Sequence, residues 1–100
     1  MIARIWHGKT HKGSFESYSE FLRRVAIPDY KKTDGFEGLC FLRRIVSKEA
    51  HFTLITYWKD LEVIRNFAGE DVEKAKYYPE DDDFLLEFEE KVQHYEVFAR

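Results

Sequence analysis

The chain is 100 residues long and 44% hydrophobic, 17% aromatic and 35% charged, enough for one hydrophobic core and too little for two. Its 16 basic and 19 acidic side chains leave a net charge of -3 spread along the whole length, which excludes the basic footprint of a nucleic-acid partner. The single cysteine, Cys40, rules out an internal disulfide and a cysteine-rich zinc site, and no window approaches the roughly 18 apolar residues of a membrane span. With no signal-peptide pattern at the N-terminus, the expectation is one cytoplasmic domain over residues 1–100, with no membrane partner.

Ile2 to His7 alternates in period two and predicts a first strand. Gly13 and Ser14 then offer a cap, and Phe15, Tyr18, Phe21, Leu22 and Val25 recur on one helical face, predicting a helix that ends near Pro28. The polar run Asp29 to Gly35 reads as a loop or a fraying helix end. Phe36 to Ser47 and His51 to Trp58 are dense in aromatic and β-branched residues, and the short link between them predicts a hairpin. Asp60 caps a helix with Leu61, Ile64, Phe67 and Ala68 on one face and Gly69 past its end. Between Glu70 and Glu90 the pattern is irregular, with Pro79 breaking any helix and Asp81 to Asp83 favouring the start of a short one. Val92 to Phe98 alternates as a last strand.

The order βαββαβ is the split-βαβ, ferredoxin-like α+β arrangement, an antiparallel four-stranded sheet with helices on one face. The bare face still carries bulky residues, so two copies packing sheet to sheet, a homodimer, are expected. The face that meets the partner is either His51, Thr53, Ile55 and Tyr57 or the alternate set Phe52, Leu54, Thr56 and Trp58.

Metal and nucleotide signatures are weak. His7 and His11 are four apart, but Gly8 and the expected strand end keep them from converging, and Asp81-Asp82-Asp83 does not follow a calcium-loop spacing. The five glycines form no phosphate-binding fingerprint, and Cys40 between Leu39 and Phe41 reads as a packed residue. His94 is the best acid or base, since its ordinary pKa lies near neutrality and Glu96 shares its strand face. Arg4 and Trp6 share a face of the first strand, where a guanidinium beside a ring can hold a phenolate or carboxylate, although pairing with a glutamate is the commoner fate. Tyr77 and Tyr78, in the irregular segment, are placed to form a lid or to anchor their loop.

Ile2-Ala3-Arg4-Ile5-Trp6, Phe52 to Trp58 with Leu61 to Asp71, Tyr77 to Asp81 and His94 to Val97 together resemble the antibiotic biosynthesis monooxygenase superfamily over nearly the whole chain. The resemblance implies a dimeric α+β barrel of two ferredoxin-like subunits. It also implies a tryptophan at Trp58 set against a bound aromatic ligand. The residues themselves offer Phe67, Tyr77, Tyr78, Trp6 and Arg4 for the rest of a substrate site and His94 as the proton acceptor. The chemistry expected is that of a monooxygenase that needs no cofactor and acts on a small aromatic or quinol-like metabolite. The alternative is a dimer of the same fold that binds a small hydrophobic ligand, or serves as an interaction module, without catalysis. The haem-degrading branch pairs a tryptophan at this place with an asparagine in the first strand and an iron-ligating histidine after the second helix. Only Trp58 matches, so haem degradation is not the expectation.

Overall fold

In the computed structural model, residues 1–87 and 89–100 are described. Strands β1 (Ile2–His11), β2 (Phe36–Val46), β3 (Glu49–Trp58) and β4 (Gln93–Glu96) form one antiparallel sheet in the order β2-β3-β1-β4. Helices α1 (Phe15–Phe21), α2 (Ile27–Lys31) and α3 (Leu61–Ala68) and the short α4 (Asp81–Phe84) complete the element order. The ferredoxin-like α+β topology expected from the sequence is present. Among the described residues no helix is long and apolar enough to cross a membrane.

Strand alternation decides the two faces. Phe52, Leu54, Thr56 and Trp58 of β3 are buried under the helices, and the register places Ile2, Arg4, Trp6 and Gly8 of β1 and His94 of β4 on that same face. His51, Thr53, Ile55 and Tyr57 point the other way and remain half-buried. Of the two candidate partner faces, only that of His51, Thr53, Ile55 and Tyr57 is therefore uncovered. At Gly8 the backbone lies directly under the Trp6 ring, which a Cβ would strike. That close approach is what lets Trp6 fold down along its own strand.

The helix that begins at Phe15 does not end at Pro28. Between α1 and α2 lies a π-helical turn, Leu22–Ala26, and the backbone continues helical to Lys31. Proline lacks an N–H and crowds the preceding turn, and the widened turn relieves both problems: the Ile27 N–H reaches back to the Leu22 carbonyl. The turn has a second effect. Four residues overshoot one α-helical turn by about 40°, whereas the wider π turn falls short, so Tyr18, Leu22, Ala26 and Tyr30 stay on one line facing the sheet.

Helix α1 starts after a 3-10 turn, Lys12–Ser14, and Ser14 makes no side-chain cap. Helix α3 is capped as its sequence requires: Asp60 Oδ1 accepts from the Val63 N–H at 2.9 Å, and Gly69 closes the helix at φ 102°. Asp60→Ala should lower unfolding stability by about 1 kcal/mol, read as a shift in urea midpoint at unchanged slope. β1 ends four residues later and β3 begins two residues earlier than expected, because a two-residue turn at Ser47-Lys48 carries the β2–β3 pairing to Val46↔Glu49 and β1 follows β3 to His11↔Glu49. β4 is shorter, and the chain before it holds itself with isolated bridges, Lys74↔Lys91 and Thr10↔Leu85.

Candidate functional site

Between the sheet and the α1–α2 helix lies a cavity with six aromatic side chains in its walls: Trp6 from β1, Tyr18 and Tyr30 from the helix, Phe67 from α3, and Tyr77 and Tyr78 from the irregular segment. Three charged side chains, Arg4, Lys76 and Asp81, also line it. Its free volume is about 30 Å³, room for little more than one water molecule, so a ring-sized ligand enters only if a wall moves.

Arg4 is the unusual group. It is 5% exposed, and its guanidinium donates to the Val72 carbonyl at 2.6 Å and the Lys74 carbonyl at 3.0 Å, with His94 Nε2 at 3.1 Å. The glutamate partner anticipated for it is not what the fold supplies; two neutral carbonyls and an imidazole take that place. Burial lowers its pKa to about 10, with the Tyr30 phenol pulling slightly the other way, and the group stays cationic at neutral pH. Among the described residues no carboxylate forms an ion pair with Arg4. A buried cation balanced only by dipoles leaves a positive potential on the cavity wall.

His94 pairs across the β1–β4 register with Arg4. Burial, and after it the neighbouring guanidinium, lowers the imidazole pKa, so the ring is neutral at pH 7 and its Nε2 lone pair faces the Arg4 N–H. His94 does not line the cavity. Its geometry orients Arg4 instead of presenting a base to the interior. Trp58, fully buried, stands one layer behind the wall: its Nε1 donates to Thr56 Oγ1 at 2.8 Å, and its ring backs Phe67 and Tyr30. Trp6 Nε1 donates to the Tyr77 hydroxyl at 3.1 Å, and that hydroxyl donates to the Glu89 carbonyl. Arg4, Trp6, Phe67, Tyr77 and Tyr78 thus meet at one cavity; Trp58 and His94 support it from behind.

Two wall residues carry no sequence signal of function. Asp81, 3% exposed, opens α4; its Oδ1 accepts from the Tyr18 hydroxyl at 3.1 Å and its Oδ2 from the Tyr78 N–H at 2.7 Å. Burial outweighs those hydrogen bonds and raises its pKa. Tyr30 lies in the run that reads as a loop, yet the π turn aims it into the cavity beside Arg4. Burial raises its phenol pKa, with Arg4 opposing, and no hydrogen bond to its hydroxyl is formed within the described residues. The series Tyr18, Leu22, Ala26 and Tyr30, in steps of four, is the available hint, hidden by the proline. At the rim, Tyr78 and Lys76 both bond Asp29 Oδ2, at 2.6 and 2.8 Å, which joins the irregular segment to α2.

No protein-family model matches the sequence, and neither does any curated protein sequence. Solved structures do match over the whole fold. A Bacillus cereus protein assigned as a candidate antibiotic biosynthesis monooxygenase aligns with 99% of this chain and 94% of its own, at 18% identity and a TM-score of 0.63. The haem degrader MhuD from Mycobacterium tuberculosis, with two haems in its active site, aligns over 100% and 98% at 16% identity and a TM-score of 0.65. An arginine-to-serine variant of MhuD holding two manganese protoporphyrin IX molecules per active site aligns over 100% and 97%, at 15% identity and a TM-score of 0.62. At these identities the likeness is one of fold, and it agrees with the sheet order and helix placement above: the chain shares the ferredoxin-like α+β fold of these solved structures.

Proposed function

We propose that the protein is a cofactor-independent monooxygenase of a small aromatic or quinol-like compound, held by an ionised ring oxygen against Arg4. The observation that carries this reading is the buried guanidinium without a carboxylate partner on the wall of an aromatic cavity. A phenolate or enolate oxygen satisfies that cation, and ionising the ring makes it electron-rich enough to reduce dioxygen. Arg4 lowers the substrate's own pKa, and Asp81, whose raised pKa brings it closer to neutrality, takes the proton. The expected proton acceptor, His94, becomes a positioning residue for Arg4. For a ring CH2 the balance closes without a cofactor: the carbanion attacks dioxygen, the resulting hydroperoxide loses water, and a ketone remains. Haem-binding neighbours share the fold, but among the described residues none of the four histidines lines this cavity, so no step here is routed through iron.

Tyr77 and Tyr78 form the lid in this reading, because they lie on the least regular part of the chain and the cavity must widen to admit a ring. A second copy covers the open sheet face, giving the homodimer.

Oxygen uptake with a panel of hydroquinones, naphthols and anthrones tests the reading, alongside calorimetric binding of the same compounds. Asp81→Asn should bind with near-unchanged affinity and lose about 10²- to 10⁴-fold in turnover. Saturable binding with no oxygen consumption by the unaltered protein would instead establish the non-catalytic ligand-binding dimer.

A further inference from the structure

The open face of the sheet carries a second cluster, unrelated to the cavity. In the β1–β3 register His7 pairs with Thr53 and Lys9 with His51, which makes His7 and His51 diagonal neighbours with side chains on the same face. His7 Nε2 lies 3.1 Å from His51 Nδ1, while the ring centroids are 5.3 Å apart. The centroid separation exceeds the nitrogen separation by about one ring width, so both nitrogens lie on the line between the rings. The rings meet tip to tip.

Each ring also has a carboxylate behind it. His7 Nδ1 is 3.0 Å from Glu89 Oε1, and His51 Nε2 is 3.8 Å from Glu49 Oε1. A metal-bound histidine characteristically gives its outer N–H to a carboxylate, which fixes the tautomer and strengthens the inner nitrogen as a donor. Without a metal, one shared proton must lie between the two inner nitrogens. A divalent cation can replace it without separating the nitrogens, since two metal–nitrogen bonds of about 2.1 Å span about 3.0 to 3.4 Å for angles of about 90 to 110°, but it sits off the line between the rings, and each ring must swing by roughly 35 to 45° to aim its lone pair at the metal.

We propose that His7 and His51 chelate a divalent transition-metal cation that favours imidazole, Zn²⁺ or Cu²⁺, on the open face of the sheet. Glu49, Glu87 and Glu89 offset the nearby cations: Lys9 bridges Glu49 and Glu87 at 3.3 Å each, and Arg44 borders the same cleft. Among the described residues no third side chain of this chain completes the site. Its remaining positions fall to water or to a second copy packed on this face. The sequence offers His7 no converging partner, His11 being kept apart from it; antiparallel pairing of β1 with β3 brings His51 to it instead.

Calorimetry of the untagged full-length chain with Zn²⁺ alone, and electron paramagnetic resonance with Cu²⁺ alone, test the site. The expected results are saturable Zn²⁺ binding and a two-nitrogen Cu²⁺ signature, both lost in His7→Ala and in His51→Ala and both retained in His11→Ala. Glu89→Gln should weaken binding about 10- to 100-fold without removing either donor nitrogen. Acid should release the metal, because protons compete for the same lone pairs. Absence of saturable binding to the unaltered chain would overturn the proposal, as would undiminished binding by His51→Ala, which would put the ion at Cys40, the N-terminal amine or another group.

Discussion

Replacing Arg4 with methionine should weaken binding of an ionised phenol by about 10- to 100-fold, because a charge-assisted hydrogen bond is worth about 1.5–3 kcal/mol. The same change should leave binding of the matching O-methyl ether, which carries no charge, nearly unaltered. Stability is a weaker readout, since two opposing effects act on it. The Val72 and Lys74 carbonyls lose their donors, at about 1–3 kcal/mol each if they stay dry, while removal of a buried cation relieves its desolvation. His94 supplies a reporter that a purely structural role would not move. Burial and then Arg4 hold its pKa down, so in Arg4→Met the imidazole should titrate higher, followed by NMR. The sign for stability also follows. With its pKa lowered on folding, native His94 binds fewer protons than the unfolded chain as pH falls through the imidazole range, so its contribution destabilises the native state there; restoring the pKa should flatten that slope. Equal loss of affinity for the phenol and its ether would remove Arg4 from the anion-binding role.

Much of the fold is legible in the sequence because local and tertiary demands coincide. Alternation along Phe52–Trp58 marks a strand with one buried face, and Asp60 and Gly69 bracket a helix at the place where the hydrophobic residues require one. Pro28 misleads for a physical reason. Its cost is absorbed by a π turn that propensity alone does not anticipate, and that turn carries Tyr30 into the cavity. The site divides in the same way. Arg4, Trp6, Tyr77 and Tyr78 are recognisable as aromatic and cationic wall residues, but the partners that give Arg4 its character are backbone carbonyls, which no side-chain pattern reports. Glu96 shares the His94 face as expected, yet the antiparallel register sets Arg4 directly opposite, and that cross-strand pairing decides what the imidazole touches. Asp81 looks like a helix-start carboxylate from the sequence; its burial against Tyr18 exists only once β1, α1 and α4 have come together.

Ile55→Asp should convert the proposed dimer to a folded monomer. Ile55 sits at the centre of the open face, opposite Ile5 on β1 and Cys40 on β2. In an isolated chain an aspartate there keeps its water. In a two-fold interface the same substitution appears twice and is buried without a partner, at about 3–5 kcal/mol for each uncompensated charge, far more than one mutated contact. Sedimentation should therefore show half the mass, with near-native circular dichroism and a melting temperature that no longer rises with protein concentration. The neighbouring position provides the contrast that separates interface from core. Leu54, 5% exposed, points under the helices, and Leu54→Asp should unfold the chain outright, because no dissociation can return that charge to water. If Ile55→Asp remains dimeric, the open face is not where two copies meet. If the unaltered chain is itself monomeric, Ile5, Ile55 and Tyr57 are simply a solvated sheet face, and the cavity must be closed by this chain alone.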